Sequence, residues 1–197
     1  MDLGKPIKGT IKAVHSGDYV TIARTMKNGP TQEIPAYLAS VSAPKMGSSQ
    51  RVEDPFGFEA REAIREKCIG RKCEFIPEYN YGGRDYGTLL VGDKNINLFI
   101  VKSALAKVVE KKGALPASKH YDELVLAQQD GKNKKTGVWS TDEKYIQKHT
   151  RSVTYFSDSG YSASRLSDEA RSIEKPLECI VEYVFNASFI TVYIHKF

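Results

Sequence analysis

The sequence predicts a β-rich α+β protein, with a five-stranded OB-fold barrel carrying three helices and then the first hairpin of a second such domain. Three observations predict this class. Five segments alternate apolar and polar residues, three others space apolar residues on one helical face, and a gapless internal repeat appears at an offset of 170 residues. The order of three strands, one helix, two strands and two helices matches an OB barrel, in which a helix follows the third strand.

The first three strands are predicted from alternation and from the turn signals between them. Ser16-Gly17-Asp18 separates the first two runs, and Asn28-Gly29 indicates a hairpin into the third. Pro35 lies inside the third run and favours a sheet edge or a bulge, because proline has no N–H for the ladder. The predicted strands cover residues 7–14, 19–25 and 34–41.

A helix, two strands and two further helices are predicted to complete this domain. Apolar residues recur on one helical face from Phe56 to Cys68, and Gly70 follows as a C-cap signal. Ser118 is the expected N-cap of the last helix, and Trp139 is expected to pack against a helix end. The predicted helices cover residues 56–69, 97–106 and 118–133, and the strands residues 71–79 and 86–91.

The internal repeat predicts the domain organisation. Lys5-Pro6-Ile7 recurs as Lys175-Pro176-Leu177, and the apolar positions of the two strand-like runs that follow stay in register. Two unrelated amphipathic hairpins can also resemble each other in this way. We interpret the repeat as the beginning of a second domain of the same kind. The chain is therefore divided into a barrel domain at 1–140, a serine-rich linker at 141–174 and a truncated second repeat at 175–197.

Composition narrows the class of protein. The 197 residues include 29 Lys+Arg and 24 Asp+Glu, which gives a net charge of +5. Residues 1–140 carry 22 basic and 16 acidic side chains, or +6, so the basic character belongs to the barrel domain. The sequence contains no apolar run near the ~20 residues that a membrane span needs. Three cysteines cannot all pair, which favours a reducing compartment. No membrane partner is expected.

Basic and aromatic residues give the strongest signal for nucleic-acid binding. Lysines cluster around the last two predicted helices, where a shared face would form a track for phosphates. Bases stack on aromatic rings, and Tyr81 and Tyr86 lie on or beside the last two strands. A solvated helix face and ordinary packing are the alternatives for these lysines and tyrosines. The candidate binding residues are Arg84, Lys107, Lys111, Lys112, Lys132, Lys134, Lys135, Tyr81 and Tyr86.

Metal and cofactor sites are not predicted. Cys68, Cys73 and Cys179 are one ligand short of a structural zinc set, and the four histidines have no metal-ligand spacing. The sequence contains no phosphate-cradling glycine loop. We therefore expect no cofactor and no metal.

Several runs resemble the staphylococcal nuclease family in that family's order. Residues 11–20 resemble its opening hairpin, and Gly137-Val138-Trp139 resembles its closing segment. The similarity is closer to the repeated nuclease-like (SN) domains of the Tudor-SN family. The runs that resemble those repeats are residues 58–62, 69–72, 120–124 and 181–185. The resemblance implies an SN-like fold, with further SN repeats and a Tudor domain in the full-length protein.

The resemblance also implies a catalytic pattern, which can be checked residue by residue. The family holds one Ca²⁺ with two aspartates, activates water with a glutamate and clamps the phosphate with two arginines. Only Asp18 retains its residue type, and a Ser-Gly-Asp hairpin also explains that aspartate as a turn residue. A lysine in place of the glutamate replaces a base by a cation and opposes a bound metal. The degenerate positions are Tyr37, Ser42, Lys45 and Thr88.

Three functional hypotheses follow. By resemblance, the domain binds single- or double-stranded RNA and acts as a scaffold in RNA-silencing and RNA-decay complexes of the cytoplasm, with the nucleus as an alternative location. The enzymatic alternative is a Ca²⁺-dependent endonuclease or phosphodiesterase acting on RNA, as an activity of the full SN array, so catalysis is left open and Ca²⁺ is a cofactor only under this alternative. The third hypothesis is a protein-interaction module whose basic face meets acidic partners. Arg84 is either a phosphate clamp or an exposed charge on a glycine-rich loop.

Overall fold

Five strands close into a barrel in the computed structural model, which describes residues 2–26, 29–48, 50–111, 113, 116–151, 168, 171–172, 176 and 178–194. Antiparallel pairing gives the order β3-β2-β1-β5-β6, and a parallel pairing of β3 with β6 closes the barrel. The predicted five-stranded barrel with helices is confirmed. The barrel strands are β1 (Ile7–Ser16), β2 (Tyr19–Arg24), β3 (Gln32–Leu38), β5 (Lys72–Tyr81) and β6 (Arg84–Val91), and the two-residue β4 (Val41–Ser42) lies outside this sheet.

The third strand differs from its predicted bounds. Pro35 pairs with β2 but precedes the point where β3 meets β6, which agrees with the predicted edge position. The strand ends at Leu38 instead of residue 41, because Ser40 has a φ of 56° and interrupts the ladder. The next residues form β4, which pairs instead with β8 (Lys107–Val108), while β7 (Lys94–Asn95) extends the sheet beside β6.

Gly87 allows the barrel to close tightly. A Cβ at this position would lie 2.2 Å from the carbonyl oxygen of Ile76 and 2.9 Å from Cε2 of Phe75. Such distances are far below van der Waals contact, so only glycine fits between β5 and β6 here. The close approach sits where β6 also pairs with Leu38 of β3.

Three helices cover the barrel, as predicted. They are α1 (Gly57–Cys68), α2 (Ile96–Lys102) and α3 (Tyr121–Lys134). Gly70 follows α1 with a φ of 71°, in agreement with its predicted role near the C-cap. The second helix ends before its predicted bound, and the chain turns at Ala104, which has a φ of 55°. The core between helices and barrel includes Ile11, Val20, Ile22, Leu38, Ile64, Phe75, Leu89, Ile100 and Leu124.

The start of α3 corrects one sequence prediction. His120 and not Ser118 is the N-cap, and it makes no side-chain capping bond. The Ser118 N–H donates to Oγ of Ser40 (2.8 Å), and its own Oγ accepts from the His120 N–H (3.1 Å). Ser118 is therefore buried as a link to the turn after β3, and this long-range contact overrides the local capping preference.

Asn97 connects α2 to β6 and to the end of β3. Its side chain is 1% exposed and makes three hydrogen bonds. Oδ1 accepts from the Leu89 N–H (3.0 Å), and Nδ2 donates to the carbonyl oxygens of Ala39 (3.2 Å) and Gly87 (3.1 Å). These bonds fix the ends of β3 and β6 relative to each other, since a buried amide needs its partners.

A fourth helix, α4 (Glu143–Lys148), lies within the predicted linker. Asp142 caps it by accepting from the N–H groups of Lys144 and Tyr145. The residues after α4 contact the segment before α1, where the Phe56 N–H donates to the His149 carbonyl (2.8 Å) and the two rings stack. The first compact unit spans Met1–Val153. Residues 152–167 lie outside the described residues, so the proposed division of the chain stays a prediction.

The second unit contains a β-hairpin, β9 (Cys179–Asn186) and β10 (Phe189–Ile194). Its register repeats that of β1 and β2 at the offset of 170 residues. Val181 pairs with Val192 as Ile11 pairs with Ile22, and Asn186 pairs with Phe189 as Ser16 pairs with Tyr19. Both hairpins also shift register at the same two places. The internal repeat is therefore present in the backbone pairing as well as in the apolar pattern.

Candidate nucleic-acid interface

Asp18 is held by hydrogen bonds from its own turn and from the strand opposite. Its Oδ1 accepts from Oγ of Ser16 (2.6 Å), and its Oδ2 accepts from the Ala43 N–H (3.0 Å). Its backbone carbonyl also accepts from the Leu38 N–H (2.9 Å). Each carboxylate oxygen thus has a donor, so the side chain is placed as a clamp between the β1–β2 turn and the residues after β4.

The two neighbouring positions that the resemblance assigns to the catalytic set do not form a carboxylate cluster around Asp18. Ser42 is exposed on β4, where it pairs with Lys107. Lys45 is exposed, and its backbone N–H donates to Oδ2 of Asp54 (2.9 Å). Within the described part of the chain, no group of three or more His, Cys, Asp or Glu residues is arranged to hold a metal ion.

Thr88 is part of a buried polar network. It is 1% exposed, and its Oγ1 donates to Oε1 of Glu78 (2.5 Å). The other oxygen of Glu78 accepts from the Lys119 N–H (3.0 Å). The hydroxyl thereby holds a carboxylate that in turn anchors the chain just before α3.

Aromatic residues form a continuous row across the closing seam of the barrel. Tyr19 pairs with Tyr37, Tyr37 with Tyr86, and Tyr86 with Tyr79, so the register places them side by side on four strands. The ring centroids of successive tyrosines lie 4.3, 5.4 and 5.2 Å apart, and His15 stacks on Tyr19 at 4.4 Å. We call these five residues the tyrosine row. Its inner rings pack on each other, as the packing alternative expects.

Burial favours the uncharged forms of three members of the tyrosine row, Tyr37, Tyr79 and His15. Burial raises the pKa of Tyr37 above its ordinary value, with a further contribution from Tyr19, while the Arg84 guanidinium acts in the opposite direction. Burial also raises the pKa of Tyr79 and lowers that of His15. His15 is therefore neutral near pH 7, and its Nε2 lies 2.8 Å from Oγ1 of Thr21.

Arg84 lies over the tyrosine row at the end of the β5–β6 hairpin. Its Cζ is 5.1 Å from the ring centroid of Tyr37, within the range of a cation–π contact. Tyr81 is its direct cross-strand partner and is 55% exposed. Gly82 and Gly83, both at positive φ, form the turn that brings these two side chains together.

The lysines of the last helices fall into two groups. Lys107 and Lys132 approach the same ring, with Nζ atoms 5.0 and 4.7 Å from the Trp139 centroid, and Lys111 lies 4.1 Å from the ring centroid of Tyr121. Lys134 instead forms an ion pair with Asp130 (2.8 Å). Lys135 is the exposed, left-handed C-cap of α3, and Lys112 lies outside the described residues.

The sequence predicted the basic and aromatic residues of this interface but not the contacts between them. Trp139 packs against α3 as expected, with its Cδ1 3.1 Å from a Cβ placed on Gly131. Its second role, as the ring that holds two lysines, was not predicted. A lone tryptophan a few residues after a lysine-rich helix end was the available signal. Tyr19 was predicted only as a strand residue, because its place in the tyrosine row depends on strand register.

The closed five-stranded barrel with its helices defines a nuclease-like OB fold. A family model described as staphylococcal nuclease homologue matches residues 36–141. The chain belongs to this family.

Curated relatives extend the similarity to almost the whole chain. Ribonuclease TUDOR 1 and Ribonuclease TUDOR 2 of Arabidopsis thaliana are each 32% identical over 95% of this chain and 20% of their own length. Staphylococcal nuclease domain-containing protein 1 of Drosophila melanogaster is 26% identical over 96% of this chain and 21% of its own. The predicted similarity to Tudor-SN proteins is confirmed, and the chain spans about a fifth of the length of these relatives. Within the described residues, no helix is long and apolar enough to cross a membrane.

Proposed function

We propose that this chain is a noncatalytic RNA-binding and scaffolding domain of a Tudor-SN protein. In this proposal further SN repeats and a Tudor domain accompany it in the full-length protein, which acts in RNA-silencing and RNA-decay complexes of the cytoplasm. The fold, the basic charge of residues 1–140 and the similarity to Tudor-SN proteins support the proposal.

One observation carries it. Four of the predicted binding cations lie over aromatic rings, and none of the four has a carboxylate within ion-pair distance in the described part of the chain. They are Arg84, Lys107, Lys111 and Lys132. A ring positions a cation without neutralising it, so its charge remains available to a phosphate. Such positioning also reduces the side-chain entropy that a phosphate contact would cost.

Lys132 and Lys134 provide a matched test, because they lie two residues apart on α3 and differ in their partners. We expect Lys132→Gln to weaken binding of a single-stranded RNA and to reduce the slope of log affinity against log salt by about 0.7, the value for one phosphate contact. Lys134→Gln removes a lysine already paired with Asp130, so its effect on the slope is expected to be smaller. Equal effects of the two variants would contradict the proposed role of the ring-held cations.

The salt dependence of RNA binding also distinguishes the proposal from the protein-interaction hypothesis. RNA binding that falls steeply with salt supports the proposal, because counterion release dominates phosphate contacts. Absence of RNA binding at low salt would overturn it and favour a module that meets acidic proteins.

A nuclease remains the second candidate, favoured by the names of the two plant relatives, which are ribonucleases, and by the presence of Asp18. RNA cleavage in Ca²⁺ and in chelator tests it. The proposal expects no Ca²⁺-dependent cleavage, because both oxygens of Asp18 accept internal hydrogen bonds. Cleavage that requires Ca²⁺ and is lost in Asp18→Ala would establish the alternative.

A further inference from the structure

The chain after the barrel is fastened to α1 by residues 142–151, which consist of the capping Asp142, α4 and the residues that follow it up to Arg151. A helix of 6 residues is too short to persist alone in water, and no residue of α4 is buried. The conformation of this segment therefore depends on its side-chain contacts with α1 and with the loop before α1. We call this segment the latch.

One latch contact joins Arg151 to the carboxylate of Glu53. The Glu53 side chain is 1% exposed and that of Arg151 is 15% exposed. Nε of Arg151 donates to Oε1 of Glu53 (3.3 Å) and Nη2 donates to Oε2 (2.7 Å), so the pair is bidentate. The guanidinium also lies over Phe58, with its Cζ 4.1 Å from the ring centroid. Opening the latch removes this partner from a buried charge, which favours the closed state.

His149 makes the second latch contact. Its Nδ1 lies 3.0 Å from Oε1 of Glu59 in the first turn of α1, and its ring stacks on Phe56 with the centroids 5.0 Å apart. Tyr145 packs against both rings, at 4.4 Å from His149 and 5.6 Å from Phe56. The Phe56 N–H also donates to the His149 carbonyl (2.8 Å). Because all of these groups belong to one short helix and the residues directly after it, we expect the contacts to form and break together.

The hydrophobic core of the barrel is built without the latch. Among the described residues, the core cluster extends along the chain from Ile7 to Leu124, with Ala127 packed against it, and it contains no residue of the latch. The turn before the latch is fixed independently, since the Val138 N–H donates to the Ala104 carbonyl (2.9 Å). Opening the latch therefore removes contacts at the beginning of α1 but leaves the core cluster buried. Segments held by few contacts outside the core open at a lower free-energy cost than the core itself.

We propose that the latch opens and closes as one unit while the barrel stays folded, so that the end of the folded domain switches between Arg151 and Trp139. In the closed state the latch belongs to the barrel. In the open state it adds its residues to the free chain of the predicted linker at 141–174, and a longer flexible linker reaches further. The inference concerns contacts within the first unit and does not depend on RNA binding.

Amide hydrogen exchange of the full chain measures the opening. The Phe56 N–H and the His149 N–H, which donates to the Tyr145 carbonyl (3.2 Å), report on the latch, and the paired amides of β1 and β2 report on the barrel. We expect the protection factors of the two latch amides to be at least about tenfold below those of the barrel amides. They should also change little in low urea, because local opening exposes little surface. Equal protection of latch and barrel, with the same urea dependence, would overturn the proposal.

Ile22→Val separates local opening from global unfolding, because Ile22 lies on β2 in the barrel core and is 0% exposed. Loss of one buried methylene should accelerate exchange of the most protected barrel amides about fivefold. The latch amides should exchange as in the wild type. Latch amides that accelerate together with the barrel amides would overturn the proposal, since they would then exchange only when the whole unit unfolds.

Arg151→Gln tests the contact that closes the latch. Loss of the bidentate ion pair should accelerate exchange of the Phe56 and His149 amides at least about tenfold. It should also accelerate cleavage by trypsin after Lys148, because the protease cuts the open segment. Lys144→Gln, a change at an exposed lysine of the same helix, is the control and should leave exchange of both amides unchanged. Exchange of the Phe56 amide that is the same in Arg151→Gln and in the wild type would overturn the proposal.

Discussion

Asp18 offers the sharpest test of whether this domain has lost its metal chemistry. The structure assigns its carboxylate a structural role, because Oδ1 accepts from Ser16 and Oδ2 accepts from the buried Ala43 N–H. Asp18→Ala removes both acceptors. Asp18→Asn keeps the shape and the hydrogen bonds, since its amide oxygen accepts from Ala43 while its NH₂ group donates to the Ser16 hydroxyl.

The two variants should therefore differ in stability. Leaving a buried N–H without an acceptor costs about 1–3 kcal/mol, so we expect Asp18→Ala to lower the free energy of unfolding by about 2–3 kcal/mol. Asp18→Asn loses only the charge assistance of two bonds, and about 1 kcal/mol or less is expected. At roughly 2–4 °C per kcal/mol for a chain of this size, the alanine variant should melt about 4–12 °C below the wild type.

Urea unfolding followed by Trp139 fluorescence measures these differences in the barrel unit, with and without Ca²⁺. Asp93→Ala is the control, because Asp93 is exposed in the turn between β6 and β7. A structural Asp18 predicts the same midpoint in Ca²⁺ and in chelator for every variant. The reasoning is refuted if Ca²⁺ stabilises the wild type and Asp18→Asn abolishes that effect, since only a metal ligand needs the charge.

Two further predictions concern buried groups outside this site. Arg151 forms an ion pair at 2.7 Å with the Glu53 carboxylate, whose side chain is 1% exposed. Because Arg151→Ala removes this partner from a buried charge, we expect the free energy of unfolding in urea to fall by about 2–3 kcal/mol. A decrease below about 0.5 kcal/mol would contradict the pairing. Burial raises the pKa of Cys68 from 9.0 to about 12 and that of Cys73 to about 11. Because the unfolded thiols ionise first, stability should fall as pH rises from 9 towards 12. At neutral pH only the exposed Cys179 should react with iodoacetamide, and labelling of Cys68 in the folded protein would refute this.

Local signals predicted the elements whose conformation is decided locally. Gly70 terminates α1 because its left-handed backbone is accessible without strain, and this preference is readable in one residue. Pro35 indicated an edge because its missing N–H is a property of the residue itself. Alternation likewise located the strands, since one face of each strand is buried in the barrel.

Features created by long-range pairing could not be predicted in the same way. The tyrosine row requires the parallel contact between Tyr37 and Tyr86, which joins strands separated by almost fifty residues. Lys132 and Lys134 are equivalent in the sequence, and only the positions of Trp139 and Asp130 distinguish them. The short α4 is marked by a capping Asp142, but a six-residue helix depends on its contacts with the barrel unit for stability.

Two of the positions that the resemblance assigns to the catalytic set are integrated into the packing of the barrel, which bears on whether restoring the family's residue types would give activity. The resemblance assigns Thr88 and Tyr37 to the two family arginines. Thr88 is buried and holds Glu78, so an arginine there would place a guanidinium in a position now 1% exposed and release the carboxylate that anchors Lys119. Removing a guanidinium from water costs several kcal/mol, which exceeds what one restored phosphate contact supplies. Tyr37 likewise packs between Tyr19 and Tyr86 at the barrel seam, so replacing it opens the tyrosine row. Reversion would therefore have to rebuild the packing around these positions along with the catalytic side chains.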